Sequence, residues 1–244
     1  MSENPVPARR TAGVLPLGLL LTGVTALLAV LVHADAGHPP FQALDERWLG
    51  WMGGPHAGVP AAAATFLDWF GGPLGVVVPL GFLVFLLVRR RWWSVCCLLV
   101  TYVGASALVV QGLKHLVDRP RPDNPLVRVD HGSFPSGHAA GAAMLVVLAG
   151  ALLVPAARRR VWWCAGTLFT LAMMWSRTWL HAHWLSDTVA GAAAGAGAAL
   201  LLWRAFMPVL AREERGSAAG EGLPRAEPSP AVRSPAEPSP AARG

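Results

Sequence analysis

Residues 89–115 read RRRWWSVCCLLVTYVGASALVVQGLKH: three arginines, two tryptophans, an uninterrupted uncharged run from Ser94 to Leu113, then Lys114 and His115. An α-helix needs about 20 apolar residues to cross the hydrocarbon core of a bilayer. Arginine clusters and tryptophans are the residues that mark the interface at a cytoplasmic helix end. The segment therefore reads as a membrane span with its arginine end inside the cell. The same punctuation returns at Arg158-Arg159-Arg160-Val161-Trp162-Trp163, which predicts a second belt at the same depth.

Working outward, six apolar runs are predicted to span: Val14–Val32, Pro73–Val88, Trp92–Leu113, His138–Val154, Val161–Thr178 and Asp187–Met207. The first is too long, and too weakly followed by a cleavage site, for a removable signal peptide. A helix running from Ala57 through Val88 would be too long for one crossing. Gly71-Gly72-Pro73 marks the break, and Ala57–Phe70 is expected to be a short surface or re-entrant helix. Arg9-Arg10, Arg89–Arg91, Arg158–Arg160 and Arg204, Arg212 and Arg215 all fall on one side if six spans alternate. The positive-inside rule makes that side, and both termini, cytoplasmic.

Composition agrees. Charged residues make up 14% of the 244, against about 25% in ordinary soluble domains. The hydrophobic share is 54% before 26 glycines are counted, and mean hydropathy is +0.45. A soluble fold of this size could not bury that much apolar surface, and a disordered chain would not carry it. The fold class is all-α, a six-helix transmembrane bundle over residues 13–210. A cytoplasmic N-terminus is expected over 1–12, and a disordered cytoplasmic tail, rich in Pro, Ala, Ser and Glu, over 211–244. In that tail the sequence AEPSPA occurs twice. Lys+Arg minus Asp+Glu is 20 − 14 = +6. These cations sit beside apolar runs, which is topology rather than a surface for nucleic acid. Cys96, Cys97 and Cys164 lie inside apolar runs and are read as packing residues.

All eight histidines fall in the loops opposite the arginine clusters, or at the adjoining helix ends. Histidine transfers protons near neutral pH, so chemistry is sought there. Three polar groups stand on that side. Lys114, the chain's one lysine, precedes Arg121-Pro122; it is either a point donor to an anion or a lysine snorkelling from a helix end. Pro135-Ser136-Gly137-His138 opens the fourth span. Free N–H groups at a helix start bind anions, although a serine there also serves as a plain N-cap. Ser176-Arg177 is followed by His183 and Asp187. If a helix starts near His183, Asp187 lies one turn away and can hold its Nδ1 proton, or can simply cap the helix. Together the groups supply three cations and two histidines on one membrane face, the set that phosphoryl transfer requires.

Lys114 with six residues before Arg121-Pro122, then Pro135–His138, then Ser176-Arg177-x5-His183-x3-Asp187, resembles the three signature motifs of the type 2 phosphatidic acid phosphatase family. The resemblance covers about Trp92 to Met207. It implies that His183 is the nucleophile forming a phosphohistidine, with Asp187 as its orienting partner. It further implies that His138 is the acid and then the base, and that Lys114, Arg121, Ser136, Gly137 and Arg177 cradle the phosphate. His181 is expected at the surface or as a secondary contact, and Asp118, Asp123 and Asp130 as solvated loop carboxylates. No metal and no cofactor is expected, since no Asp/Glu cluster accompanies the motifs.

The function implied is a multi-pass plasma-membrane lipid phosphatase with an extracytoplasmic site. Its substrate would be a polyprenyl diphosphate, phosphatidate or phosphatidylglycerol phosphate, with the polyprenyl diphosphate weakly favoured. Three alternatives stay open: phosphate transfer to another acceptor, a catalytically silent lipid-binding protein, and a relative of the vanadium haloperoxidases, which share the cradle. Gly191-x3-Gly195 is read as a helix-packing face, within the chain rather than between chains.

Overall fold

The structure is a computed structural model that describes residues 13–221, with side chains described through residue 216. The expectations for residues 1–12 and 222–244 lie outside the described residues. Every regular element among the described residues is helical. In chain order these are α1 (Val14–Ala34), α2 (Gln42–Met52), α3 (Gly58–Gly71), α4 (Leu74–Val88) and α5 (Trp92–Leu99). A wider π-helical stretch (Val100–Gln111) joins α5 to α6 (Gly112–Val117). Then come α7 (Gly137–Leu152), a 3₁₀ turn (Ala156–Arg158), α8 (Arg159–Trp179) and α9 (Leu185–Glu221).

α1, the continuous Trp92–Val117 segment and α9 are long and apolar enough to cross a membrane, and α3 with α4 forms a fourth, bent by 50°. The bend falls at Gly72-Pro73, as the sequence predicts. α7, with 16 residues, is shorter. α8 is 21 residues long, but tryptophans, threonines and Arg177 dilute its apolar content. Outward-facing leucines and valines, such as Leu20, Val76, Leu108 and Leu168, are exposed as a lipid-facing surface demands.

α9 is the central element, packed along α1 on one side and α7 on the other. Its small-residue stripe makes this possible. A Cβ at Gly191 would lie 2.3 Å from the Ser136 carbonyl oxygen, and one at Gly195 would lie 2.2 Å from that of Ala140. The Gly191-x3-Gly195 face is therefore a seam within the chain, between α9 and α7.

Two expectations need correction. The tail does not lose structure at residue 211: α9 continues as helix to Glu221. Ala211–Arg215 are strong helix formers, and Glu213 is tied down at the start of α5. Its carboxylate accepts the Trp93 N–H at 2.6 Å and the Ser94 hydroxyl at 2.6 Å, and lies 3.6 Å from Nε of Arg91. The two tryptophan pairs also differ. Trp92 and Trp93 are exposed, as a belt requires, but Trp162 donates to the Val146 carbonyl at 2.9 Å, and both Trp162 and Trp163 pack over Gly150.

Candidate active site

Four segments converge at the bundle end opposite the arginine clusters: the end of α6 with its following loop, the start of α7, the turn between α8 and α9, and the short helices α2 and α3. Six of the eight predicted site residues lie in the first three, Asp187 sits in the first turn of α9 and Arg177 in the last turn of α8. All eight are thus at one end.

His183 lies in the turn before α9 rather than in the helix, and is 3% exposed. Its Nδ1 is 2.7 Å from the Ser133 carbonyl oxygen, and its Nε2 is 3.3 Å from Nη1 of Arg121. A carbonyl only accepts and a guanidinium only donates, so Nδ1 carries the proton and Nε2 holds the lone pair. Burial pushes the imidazole down to about 4; the Asp187 carboxylate pulls the other way, and Arg177 and Arg121 add to the lowering. The ring is therefore neutral at pH 7, and its Nε2 lone pair accepts from Arg121.

Asp187 differs from expectation. Its Oδ2 lies 3.7 Å from His183 Nδ1, beyond hydrogen-bond reach, because the Ser133 carbonyl takes the Nδ1 proton and His183 precedes the helix. Asp187 instead accepts from Nη1 of Arg119 at 2.7 Å and from the Trp184 N–H at 2.9 Å. Arg119 went unnoticed in the sequence, where Arg121 carried the motif. It is 1% exposed and also bonds Asp45 of α2 at 2.8 Å, Gln42 at 2.7 Å and Ser186 at 2.8 Å.

Ser136 caps α7 in an extended conformation, and its N–H donates to the Asp187 carbonyl at 3.0 Å. Its buried hydroxyl has no protein partner, nor has Nε of Arg177. The first-turn N–H groups of α7 are left open by helix geometry. His138 Nε2 is 3.2 Å from the Asp68 carbonyl oxygen and 3.6 Å from its carboxylate, and Gly71 leaves room for the ring. Arg177 pairs with the same Asp68. Asp68 was invisible to motif reading, since α3 reaches the site only through the bend at Gly72-Pro73.

Lys114, 3% exposed, donates to the Gly132 carbonyl at 2.9 Å and to the Asp130 carboxylate at 3.2 Å. Arg121 donates to the same Asp130 oxygen at 2.5 Å. Burial works to lower the Arg121 guanidinium and raise the Asp130 carboxyl, but Lys114 and Arg121 draw the carboxyl below its ordinary range. Asp130 is thus a loop carboxylate, exposed as expected, but paired with two cations of the site. His181 is half-buried with its ring 5.2 Å from that of His56, and burial lowers its pKa.

Comparison with known proteins agrees with this geometry. The profile of the PAP2 superfamily matches residues 94–209, which hold all three motifs. The chain is 28% identical over 181 residues to phosphatidylglycerophosphatase B of Bacillus subtilis (strain 168), covering 69% of this chain and 84% of that one. It also superposes, with a TM-score of 0.63 and 25% identity, on the crystal structure of the transmembrane PAP2 type phosphatidylglycerolphosphate phosphatase from Bacillus subtilis. That match covers 79% of this chain and 96% of the other. Motifs, helical architecture and relatives all agree: the chain belongs to the PAP2 superfamily and is a membrane phosphatase of the PAP2 type.

Proposed function

We propose that the protein hydrolyses the terminal phosphate of a membrane lipid through a phosphohistidine on His183, without a metal ion. The observation that carries this reading is the lone pair of a neutral, buried His183 Nε2, set 3.3 Å from Nη1 of Arg121. Nε2 attacks phosphorus and forms the N–P bond as the P–O bond to the lipid breaks, and His138 gives its proton to the departing oxygen. His138 then takes a proton from water, whose oxygen attacks the phosphoryl group. The N–P bond breaks and inorganic phosphate leaves.

The transition state spreads charge over three equatorial oxygens. Lys114, Arg121 and Arg177, with the Ser136 hydroxyl and the N–H groups of Gly137 and its helical neighbours, supply the matching donors. Asp187 acts on His183 across 3.7 Å, as a charge rather than through a hydrogen bond. The positive-inside rule places the arginine end in the cytoplasm, so the site faces outward, with the lipid tail between helices.

The name of the Bacillus relative makes phosphatidylglycerol phosphate the first substrate to test. The test is phosphate release in detergent with EDTA present. Phosphatidylglycerol phosphate, phosphatidate and a polyprenyl diphosphate are compared side by side, with His183→Ala as control. Release from one lipid that disappears in the variant is the expected result. Release that requires an added divalent ion, or that survives in His183→Ala, overturns the mechanism.

A further inference from the structure

The cations expected to hold phosphate are already occupied. Lys114 Nζ lies 3.2 and 3.3 Å from the two Asp130 oxygens. Arg121 reaches the Asp130 carboxylate through Nη2 at 2.5 Å, its backbone carbonyl through Nε at 3.0 Å, and the Gly132 carbonyl at 2.9 Å. Asp68 pairs with Arg177 on the other side of the site. Two carboxylates therefore sit against three cations, leaving a balance of 3 − 2 = +1.

These two carboxylates are held differently. Asp68 belongs to α3 and also lies against His138, whereas Asp130 sits on the loop between α6 and α7 with its side chain 63% exposed. Next to it Gly132 takes a left-handed conformation, φ +62°. A carboxylate presents two acceptor oxygens to a lysine and a guanidinium, as a phosphate does. A phosphomonoester brings a charge of about −1.5 to −2 at neutral pH and three acceptor oxygens. The phosphodiester of an ordinary membrane phospholipid brings a single charge and only two unesterified oxygens.

Resting on the proposed phosphatase reading, we infer that Asp130 is a specificity-determining residue. It is an internal anion that fills the Lys114–Arg121 half of the phosphate cradle and yields only to a phosphomonoester or terminal diphosphate. Substrate entry is then an exchange of anions. A dianion regains both cations and more; a phosphodiester gains too little to displace the carboxylate, so the bulk lipid surrounding the protein does not clog the site. A merely structural ion pair would act the other way, since its loss would loosen Lys114 and Arg121 and weaken anion binding.

The test uses Asp130→Asn and Asp130→Ala in the full-length protein. Inorganic phosphate is the probe, and its dissociation constant is read from the rise in melting temperature on titration, which needs no turnover. Both variants are expected to bind phosphate about tenfold more tightly than wild type. Phosphatidylglycerol added to the micelles is expected to inhibit phosphate release by the variants and not by wild type. Unchanged or weaker phosphate binding in both variants overturns the inference, even if wild type is an active phosphatase. Wild-type protein that releases no phosphate from any lipid overturns the phosphatase reading instead, while tighter phosphate binding in the variants would still show Asp130 guarding an anion site.

Discussion

Arg119 and Arg121 stand two residues apart, each followed by proline, and the fold gives them opposite surroundings. Arg119 is sealed between Asp45 and Asp187, both 1% exposed or less, with Phe41 and Trp184 rings 5.8 and 5.3 Å from its guanidinium carbon. Arg121, its side chain 10% exposed, pairs instead with the exposed Asp130 and lies 3.3 Å from Nε2 of His183. The lesson is one of anion lifetime. A cation matched by buried carboxylates is committed to holding α2 and Asp187 in place. A cation matched by a loop carboxylate is available to a substrate.

The sharpest way to break this contrast is to truncate each arginine. Arg119→Ala leaves two buried carboxylates uncompensated, which costs about 3–5 kcal/mol. Arg121→Ala removes the donor to the exposed Asp130 and to backbone carbonyls and should cost less, about 1–3 kcal/mol, while phosphate release falls by about 10²–10³-fold. Thermal melting in detergent and initial rates of phosphate release check both. An Arg119→Ala protein that melts like wild type would show that the buried network does not hold the fold.

The next effect comes from His183 itself. In the unfolded chain its imidazole titrates near the ordinary value of about 6.5; in the fold burial holds it near 4. Between those values the unfolded chain binds more protons, so acidification favours unfolding. The His183 contribution is intact above pH 6.5 and is lost as pH falls toward 4, by about 3 kcal/mol over the full window. Melting profiles of wild type and His183→Asn between pH 7 and 4 should converge at the acidic end. Parallel profiles would mean that the ring is not held neutral by burial.

A smaller pair of effects separates the site from its support. Gly191→Ala and Gly195→Ala each force a methyl group into the α7 backbone, at Ser136 and Ala140 respectively, and each should cost about 1–3 kcal/mol. Only Gly191 lies against the turn that presents Ser136 and Gly137, so only Gly191→Ala should lower phosphate release well beyond its loss of folded protein. Equal losses of specific activity would show that the seam acts as one rigid unit.

The legible and illegible parts of the molecule divide along the same line. Apolar runs, arginine clusters and the glycine-proline break were readable because each is a local pattern with a single physical meaning. His138, His183, Lys114, Arg121, Ser136, Gly137, Arg177 and Asp187 were readable because their spacings matched a known set of motifs. Arg119, Asp45, Asp68 and Asp130 were not, because the meaning of a carboxylate depends on which cation the fold brings to it. Asp45 and Asp68 come from short helices far away in sequence, and nothing local distinguishes Asp130 from Asp118 or Asp123. The Asp187–His183 pair is longer than expected for a related reason: the helix starts at Leu185, two residues after His183, and a backbone carbonyl takes the Nδ1 proton.

The smallest expected effect lies at the other end of the bundle. Glu213 of α9 takes the Trp93 and Ser94 N–H groups that the start of α5 leaves unpaired, at 2.6 and 3.2 Å, together with the Ser94 hydroxyl. It is a helix cap supplied from a distant element, as Asp45 and Asp187 are counter-ions supplied to Arg119. It faces no reacting group, however. Glu213→Gln keeps the shape and loses the charge, which should lower stability by about 1 kcal/mol. The rate of phosphate release per folded molecule should be unchanged. A fall in that rate would mean that the arginine end and the site end are mechanically joined through α9, and the division between holding and binding drawn from Arg119 and Arg121 would then have to include the helix that joins them.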